Sequence, residues 1–475
     1  MITFDGIGTA LVPGSRVEFS NARAISGLPA APQKILLTGM RLAGGSVAQL
    51  VPVRIISADQ AAVAFGRGSM LHGMCAASLF ANPTTETWAI AQDANAAGTA
   101  AVWTITLTGP ASAAGTLAYL IAGQKVQAGV ASGDSATAMA AALTAAINAA
   151  PDLPLTATSA AGVVTLTARH KGTYGNDFDI RANHYEGEAL PAGVTSTVAV
   201  SVAGTTNPDL TAVWAAIGDE QYRYIALGCN DATNLTAADT ELNARWSPAK
   251  QREGRAFAVL SGNFSTCAAF GATRNGIHTT VIGAYKVPTP TWKMAAAFAA
   301  IAAFHLAIDP ARPLTDLVVP GVIAPQIPHR FTRTEREQLL ATGISTFRVN
   351  SSGEVAIERL ISSYLVNSFN FPDPSYRDIT TTATLGYLRF SWRSVMAAKF
   401  PRVKLTEDVI ASIKAETIAL ARDWFDAGLI EDVEGFIAGL VIERDGSNVN
   451  QLNLLLTPNV VNPLLQLAAR IEFIL

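Results

Sequence analysis

Between residues 209 and 364 the chain alternates helix and strand patterns, and this alternation limits its fold more than any other feature. The predicted helices are 209–217, 237–246, 264–272 and 292–308, and the strands between them are 222–227, 256–260 and 279–284. Strands that alternate with helices form a mostly parallel sheet with helices on its faces. We therefore predict a central α/β domain.

The stretch from Thr332 to Tyr364 closes this domain. Thr332 and Glu335 have the spacing of a capping box, in which each side chain bonds the other residue's backbone N–H. A short helix is expected to follow and to end at Gly343, where a positive φ is needed. Residues 344–349 and 354–360 then predict two strands joined by a turn.

The regions on either side differ in composition. Residues 34–39 and 51–56 predict strands, and 57–80 predict a helical stretch. Residues 88–202 are rich in Ala, Thr, Gly and Val and contain few charges; they predict strands at 102–108 and 163–167, a strand pair around Gly123 and a helix at 135–149. This predicts a compact β-rich domain inserted at a surface loop of a larger one.

Beyond Pro374 the pattern predicts an α+β domain. Helices are expected at 378–399 and 406–427, the second capped by Thr406. A hairpin of strands 436–444 and 449–457 is expected around Asp445-Gly446.

The predicted division of the whole chain is an arm at 1–20, a first core part at 21–87, the insertion at 88–203, the α/β core at 204–364, the α+β domain at 365–465 and a terminal strand at 466–475.

Both ends of the chain show strand periodicity without a nearby hairpin partner. The alternating apolar residues are Ile2, Phe4, Val17 and Phe19 at the start and Ile471, Phe473 and Leu475 at the end. Such segments either add to a sheet of another chain, or fray or fold back on their own chain. The residues alone leave both alternatives open.

Composition excludes several classes of protein. A net charge of −3 and a pI near 6.1 argue against nucleic-acid binding, which needs a basic surface. Cys75, Cys229 and Cys267 form no pair motif and predict buried thiols in a reducing compartment. The start predicts no signal peptide, and the apolar run 294–308 predicts a buried helix without membrane insertion. Only 15% of residues are charged, which suggests a surface largely covered by other copies; a large monomer is the alternative.

The sequence contains no common catalytic or nucleotide-binding motif, so we predict no catalytic, metal or cofactor site. His305 and Asp309 have a spacing compatible with metal ligands, but no third ligand is evident. The segment around His278 faintly resembles a subtilisin-type histidine segment, without a following serine motif. Residues 66–69 precede a helix and could bind an anion, although a plain helix start is favoured.

Several segments, taken together in their chain order, resemble contractile-tail sheath proteins of Mu-like bacteriophages. They are residues 123–126 and 169–177 in the insertion, Gly343-Ile344 with Glu-Arg-Leu-Ile-Ser-Ser-Tyr at 358–364, and the ending at 458–462 and 470–475. The resemblance implies that both terminal arms insert into the C-terminal domains of neighbouring subunits. The exchanged residues would be Ile2, Phe4, Val17, Phe19, Ile471, Phe473 and Leu475, and the receiving sheet would contain Val441, Leu452 and Leu454.

The same resemblance implies a mechanical function. Such a subunit polymerises around a tail tube and contracts to drive the tube through the host envelope. The implied tube-facing residues are Glu407, Asp408, Lys414 and Glu416 on helix 406–427. The implied partners are further copies in a helical sheath of stacked hexameric rings, the tube protein, and the baseplate and tail terminator proteins; the location is the virion, after assembly in the host cytoplasm. A degenerate hydrolase and a non-contractile virion protein are the alternatives.

Overall fold

The computed structural model describes residue 15 and residues 28–474. These form two compact units. The core unit contains residues 32–386 and 462–474, and the C-terminal unit contains residues 28–31 and 387–461. The predicted arm residues Ile2, Phe4, Val17 and Phe19, and also Leu475, lie outside the described residues.

Strands and helices of the described residues are numbered in chain order. The strands are Lys34–Met40 (β1), Pro52–Ile55 (β2), Glu86–Gln92 (β3), Val102–Thr108 (β4), Gly115–Ile121 (β5), Gln124–Val130 (β6), Leu155–Ala160 (β7), Val163–Ala168 (β8), Ile180–Ala182 (β9), Thr195–Val202 (β10), Tyr224–Leu227 (β11), Arg255–Ser261 (β12), Thr279–Ala284 (β13), Ile344–Val349 (β14), Val355–Arg359 (β15), Ile430–Glu431 (β16), Val441–Arg444 (β17), Leu452–Leu455 (β18) and Asn459–Val460 (β19). The helices are Ala58–Phe65 (α1), Met70–Ala81 (α2), Ala136–Asn148 (α3), Thr211–Ile217 (α4), Ala232–Trp246 (α5), Phe264–Gly271 (α6), Thr291–Ile308 (α7), Arg333–Ala341 (α8), Ile379–Lys399 (α9), Glu407–Asp426 (α10) and Val433–Gly439 (α11).

The core unit is built on an eight-stranded sheet in the order β15-β14-β13-β12-β11-β1-β3-β2. The strands from β14 to β3 pair in parallel, while β15 and β2 pair antiparallel at the two edges. The mostly parallel α/β sheet predicted from the alternating pattern is thus confirmed. Strand β3 pairs with β1 along its whole length, so the predicted start of the insertion at residue 88 falls inside a sheet strand.

Helices cover both faces of this sheet because successive side chains of a strand point to opposite faces. In β11, Tyr224 and Ala226 belong to one hydrophobic cluster and Ile225 and Leu227 to the other. The first cluster includes α1, α2 and α7, and the second includes residues of α4, α5, α6 and α8. Helix α7 has the length and apolar composition of a membrane span, but 72% of it is buried inside the protein. It packs on α2, β11 and β12 as a core helix, as predicted.

The Ala- and Thr-rich segment forms two small antiparallel sheets and a helix. One sheet has the order β10-β4-β8-β7 and the other β6-β5-β9. Helix α3 packs mainly on β7 and β6 and buries Met139, Leu143 and Ile147. Its cap is Ser135, whose hydroxyl accepts from the Ala138 N–H. The β-rich character predicted for this segment is confirmed.

An aromatic group joins this segment to the parallel sheet within the core unit. Trp292 at the start of α7 is buried and packs edge-on against Tyr174 and Phe178, at centroid distances of 5.1 and 5.7 Å. Beside them, the buried His170 ring accepts the Met70 N–H at its Nε2 atom, 3.0 Å away. His170 is therefore held in its neutral form with an N–H donor on one ring nitrogen.

This histidine predicts a pH dependence of stability. Burial, with a smaller effect of the Arg169 charge, lowers the pKa of His170 from 6.5 to about 4. The unfolded chain takes up a proton below pH 6.5 and the folded chain does not, so stability falls as pH drops toward 4. Between pH 7 and pH 5 we expect His170 to account for about 2 kcal/mol of this loss. Chemical denaturation at pH 7 and pH 5 measures this loss of unfolding free energy. The loss should be smaller by about 2 kcal/mol in His170→Gln than in the wild type, and the glutamine amide can still accept the Met70 N–H. An equal loss in both proteins would contradict the assignment.

The capping box and the positive φ predicted at Gly343 are confirmed. The Thr332 hydroxyl accepts from the Glu335 N–H, and the Glu335 carboxylate accepts from the Thr332 N–H at 2.7 Å. Gly343 has φ +81°, and the backbone of Ser363 lies 3.2 Å from where a side-chain Cβ would stand. A residue with a side chain would therefore be strained there both in conformation and in space.

Two predicted elements are wrong. The helical stretch 57–80 is broken into α1 and α2, because Gly66 and Gly68 adopt φ values of +86° and +79°. Part of the predicted strand 436–444 is the helix α11, which buries Phe436 against Trp424 at a centroid distance of 6.2 Å. Asp432 starts that helix by accepting the Gly435 N–H.

Within the C-terminal unit, the amphipathic helix α10 buries one face. Thr417, Leu420, Ala421 and Trp424 are buried, as its periodicity predicted. The Trp424 indole N–H donates to the Ser391 hydroxyl of α9 at 2.9 Å. Two short sheets complete the described unit, β16 with β19 and β17 with β18.

Candidate functional site

The end of the chain exposes apolar side chains to an unusual degree. Residues 461–474 form no helix or strand. Pro463 and Leu465 line a small cavity together with Leu314 and Leu360, and the chain beyond them is open to solvent. Ile471 is 88% exposed, Phe473 80% and Ile474 98%. Consecutive exposed residues of this kind are typical of surfaces that become buried in an assembly.

The hairpin β17–β18 is a second open feature. Val441 pairs with Leu455 and Ile442 with Leu454, and within the described residues this two-stranded sheet has no further strand. Val441 is 46% exposed and Leu455 is 57% exposed. Two free edges with apolar side chains are what an added strand needs, because it gains backbone hydrogen bonds and side-chain burial together.

The connection of this hairpin differs from the expected tight turn around Asp445-Gly446. It is a loop that closes with a bond from the Asp445 N–H to the Gln451 carbonyl. The Asp445 carboxylate accepts from the Ser447 and Asn448 N–H groups and from the Asn453 amide. These hydrogen bonds, that from Asn453 foremost, lower the pKa of Asp445. An ordered loop keeps the two strands in register.

The four polar residues predicted to face a tube lie on α10. Glu407 accepts from the Arg444 guanidinium at 2.9 Å, and Glu416 pairs with Lys399. Asp408 and Lys414 are exposed and form no ion pair within the described residues. Of these four residues, two are available for an external partner and two already form contacts within the unit.

The segment 358–364 holds the core unit together. Glu358 accepts from Arg336 at 2.8 Å and from the Thr346 hydroxyl at 2.9 Å. Arg359 forms a two-bond contact with Asp378 at the start of α9. The segment therefore fixes β15 to α8, to β14 and to the start of α9. The pairing of Glu358 with Arg336 was not predicted, because the two residues lie 22 positions apart in the sequence.

The residues considered for chemistry have structural contacts. His278 is buried, with its ring 5.1 Å from that of Trp246. At the α1–α2 turn, the Gly68 N–H donates to the His72 ring and the His72 N–H donates to the Ser69 hydroxyl. The described part of the chain contains no cluster of three or more His, Cys, Asp or Glu residues that could hold a metal.

The three cysteine thiols are also buried. Cys75, Cys229 and Cys267 are free and buried. Burial raises the pKa of all three thiols, and that of Cys267 reaches about 12. Because only the thiolate is a strong nucleophile, these cysteines are chemically inert in the folded chain.

Three family models match the chain. They describe the phage tail sheath protein beta-sandwich domain at residues 96–196, the central domain at 203–363 and the C-terminal domain at 372–474. The matches follow the small antiparallel sheets, the parallel sheet with its helices, and the segment that contains α10 and the β17–β18 hairpin.

Full-length comparisons agree with these matches. A Mu-like prophage FluMu tail sheath protein of Haemophilus influenzae is 37% identical over 100% of both chains. A sheath tail protein of Listeria innocua has the same fold at 13% identity and a TM-score of 0.52, covering 93% of this chain and 95% of that one. A chain of the anti-feeding prophage baseplate in its contracted state has a TM-score of 0.52 at 8% identity, covering 98% and 100%. With a relative this similar along its whole length, the chain belongs to the phage tail sheath protein family.

Proposed function

We propose that this protein is the structural subunit of a contractile phage tail sheath, which polymerises around a tail tube and drives it through the host envelope. The observation that carries the proposal is the exposed apolar end of the chain, at residues 471–474, together with a two-stranded sheet whose edges are open. In a single chain the exposed end has no sheet to join, and the hairpin has no third strand. A neighbouring copy would supply each of them.

The exchange would place Ile471, Phe473 and Leu475 on one face of an added strand, because alternate residues share a face. The receiving residues would be Val441, Leu452 and Leu454 of the hairpin. Full burial of each apolar side chain is worth about 1.5–3 kcal/mol, and each added backbone hydrogen bond about 0.5–1.5 kcal/mol. An arm of the amino-terminal residues Ile2, Phe4, Val17 and Phe19 would act in the same way.

Such a contact is heterologous, since the arm of one copy meets the hairpin of the next. Heterologous contacts form rings or open helices according to the rotation between copies. The assembly that follows is a helical sheath of stacked rings, expected to be hexameric. Its further partners would be the tube protein, the baseplate and the tail terminator, and its place would be the virion, after assembly in the host cytoplasm.

Contraction would be driven by burial between subunits and not by nucleotide hydrolysis. The exchanged strands would keep subunits linked while they rotate and slide between two arrangements. The solved baseplate chain of the anti-feeding prophage comes from a contracted state, and it has the fold described above. The exposed Asp408 and Lys414 of α10 would contact the tube, with Glu407 and Glu416 beside them.

Electron microscopy of the purified full-length chain tests this proposal. We expect hollow cylinders that form without tube protein at sufficient protein concentration, and that do not require ATP to reach their most compact form. A chain that stays monomeric, or that forms only a closed oligomer of a few copies, at all concentrations would contradict the proposed function.

A further inference from the structure

Two features of the core unit that the proposed strand exchange does not use are complementary to each other. The first is the Phe loop, residues 366–372, in which Phe369 is 79% exposed and Phe371 66% exposed. The second is the Arg pocket, a cavity of about 190 Å³ whose lining residues are Tyr285, Pro325, His329, Arg330, Phe331, Arg336, Phe347, Arg348 and Val349.

The Phe loop is ordered although its rings are exposed. The Asn367 side-chain oxygen accepts from the N–H groups of Phe369 and Phe371, at 2.9 and 3.1 Å. The Asn367 backbone N–H donates to the Phe371 carbonyl, and Asn370 turns the chain with φ +61°. The Asn275 side chain anchors the base of the loop through three bonds to Leu365 and Val366. Little conformational entropy would therefore be lost when this loop binds.

The Arg pocket suits an aromatic side chain. Arg336 and Arg348 are paired with Glu358 and Asp316. Arg330 donates to the Pro325 carbonyl and has no acidic partner within the described residues, so its charge is available. A guanidinium over the face of a ring and aromatic edges around it are favourable contacts for a phenyl group. The pocket is also large enough, since an apolar cavity of about 150 Å³ binds benzene.

The loop and the pocket lie at opposite ends of the parallel strands. Asn275, which anchors the loop, precedes β13, and Tyr285, which lines the pocket, directly follows it. At about 3.3 Å per residue, β13 alone separates the two by roughly 17 Å. The loop of one chain therefore cannot enter its own pocket, and a contact between the two requires a second copy.

We propose that the Phe loop of one subunit inserts a phenylalanine ring into the Arg pocket of the next subunit along the strand direction. This contact is again heterologous and repeats without closing on itself, as a helical assembly requires. The inference rests on the proposed sheath function and adds a second link between copies, made by the core unit and independent of the terminal arms.

A disulfide cross-link tests the contact in assembled cylinders of the full-length chain. We expect the pair Phe369→Cys with Val349→Cys, at the pocket wall, to give a ladder of covalent multimers under a mild oxidant on a non-reducing gel. The native thiols are buried and contribute little background. The matched control is Phe80→Cys with Val349→Cys, because Phe80 is 70% exposed but lies on α2; it should give no ladder.

Alanine variants give a second measurement if the cysteine pair prevents assembly. The double variant Phe369→Ala and Phe371→Ala should raise the protein concentration needed for cylinders by a factor of about ten or more, while Phe80→Ala leaves it unchanged. If the wild-type chain forms cylinders but the cysteine pair gives no ladder and the alanine variant shows no shift in concentration, the inference is overturned and the sheath function stands. A wild-type chain that forms no cylinders would overturn both.

Discussion

A chain that lacks residues 466–475 is expected to fold normally and to form no cylinders at any accessible protein concentration. Residues 466–474 are exposed, so their loss removes almost no buried surface from the single chain. In an assembly the same deletion removes a whole exchanged strand, with three apolar side chains and its backbone hydrogen bonds. At about 1.5–3 kcal/mol for each buried side chain, the loss far exceeds a tenfold change in affinity.

Point variants separate the exchanged strand from the remainder of the tail. Ile471→Asn with Phe473→Asn should reproduce the effect of the deletion. Leu467→Asn is the matched control, because Leu467 is 87% exposed in the same tail but precedes the strand, and it should assemble as the wild type does. Circular dichroism and thermal unfolding should be unchanged in all three chains. Cylinders formed by the deleted chain would contradict the exchange of this arm.

Replacing Trp424 by alanine should have the largest effect on stability within the C-terminal unit. Trp424 is 1% exposed, packs against Phe436 and donates to the Ser391 hydroxyl. Loss of a buried tryptophan typically costs about 3–5 kcal/mol, because a cavity remains and the contacts are lost. A unit this small has little stability to spare, so we expect its unfolding transition to separate from that of the core unit.

The neighbouring residue supplies the control. Phe425 follows directly in α10 but points outward and is 49% exposed. Phe425→Ala should change the free energy of unfolding by less than about 1 kcal/mol, since exposed substitutions usually have small effects. Calorimetry of both variants checks this pair. Equal destabilisation by the two substitutions would contradict the burial of Trp424 and the exposure of Phe425.

The local chemistry of the sequence was sufficient to predict many elements. The capping box of Thr332 and Glu335, the strand Val102–Thr108 and the strand Thr279–Ala284 follow from spacing and alternation between neighbouring residues. The parallel sheet could be predicted because strands joined by helices have few other ways to pair. The resemblance identified the family correctly from short motifs, each made of residues close together in the chain.

Where prediction failed, distant contacts decided the structure. The segment Val433–Gly439 is helical because Phe436 is buried against Trp424, which no local pattern contains. Strand β3 belongs to the large sheet because β1 and β2 both pair with it. The Phe loop and the Arg pocket could not be found from sequence, since the pocket brings together side chains from residues 285 to 349.

The sequence by itself determined the type and order of most helices and strands, and the family, because these depend on residues close together in the chain. Only the tertiary structure decided which strands are edges, which charges are paired, and which apolar side chains remain uncovered. Burial and ion pairing depend on residues far apart in sequence. For this protein the uncovered side chains, Phe369, Phe371, Ile471 and Phe473, are the ones on which the proposed assembly depends.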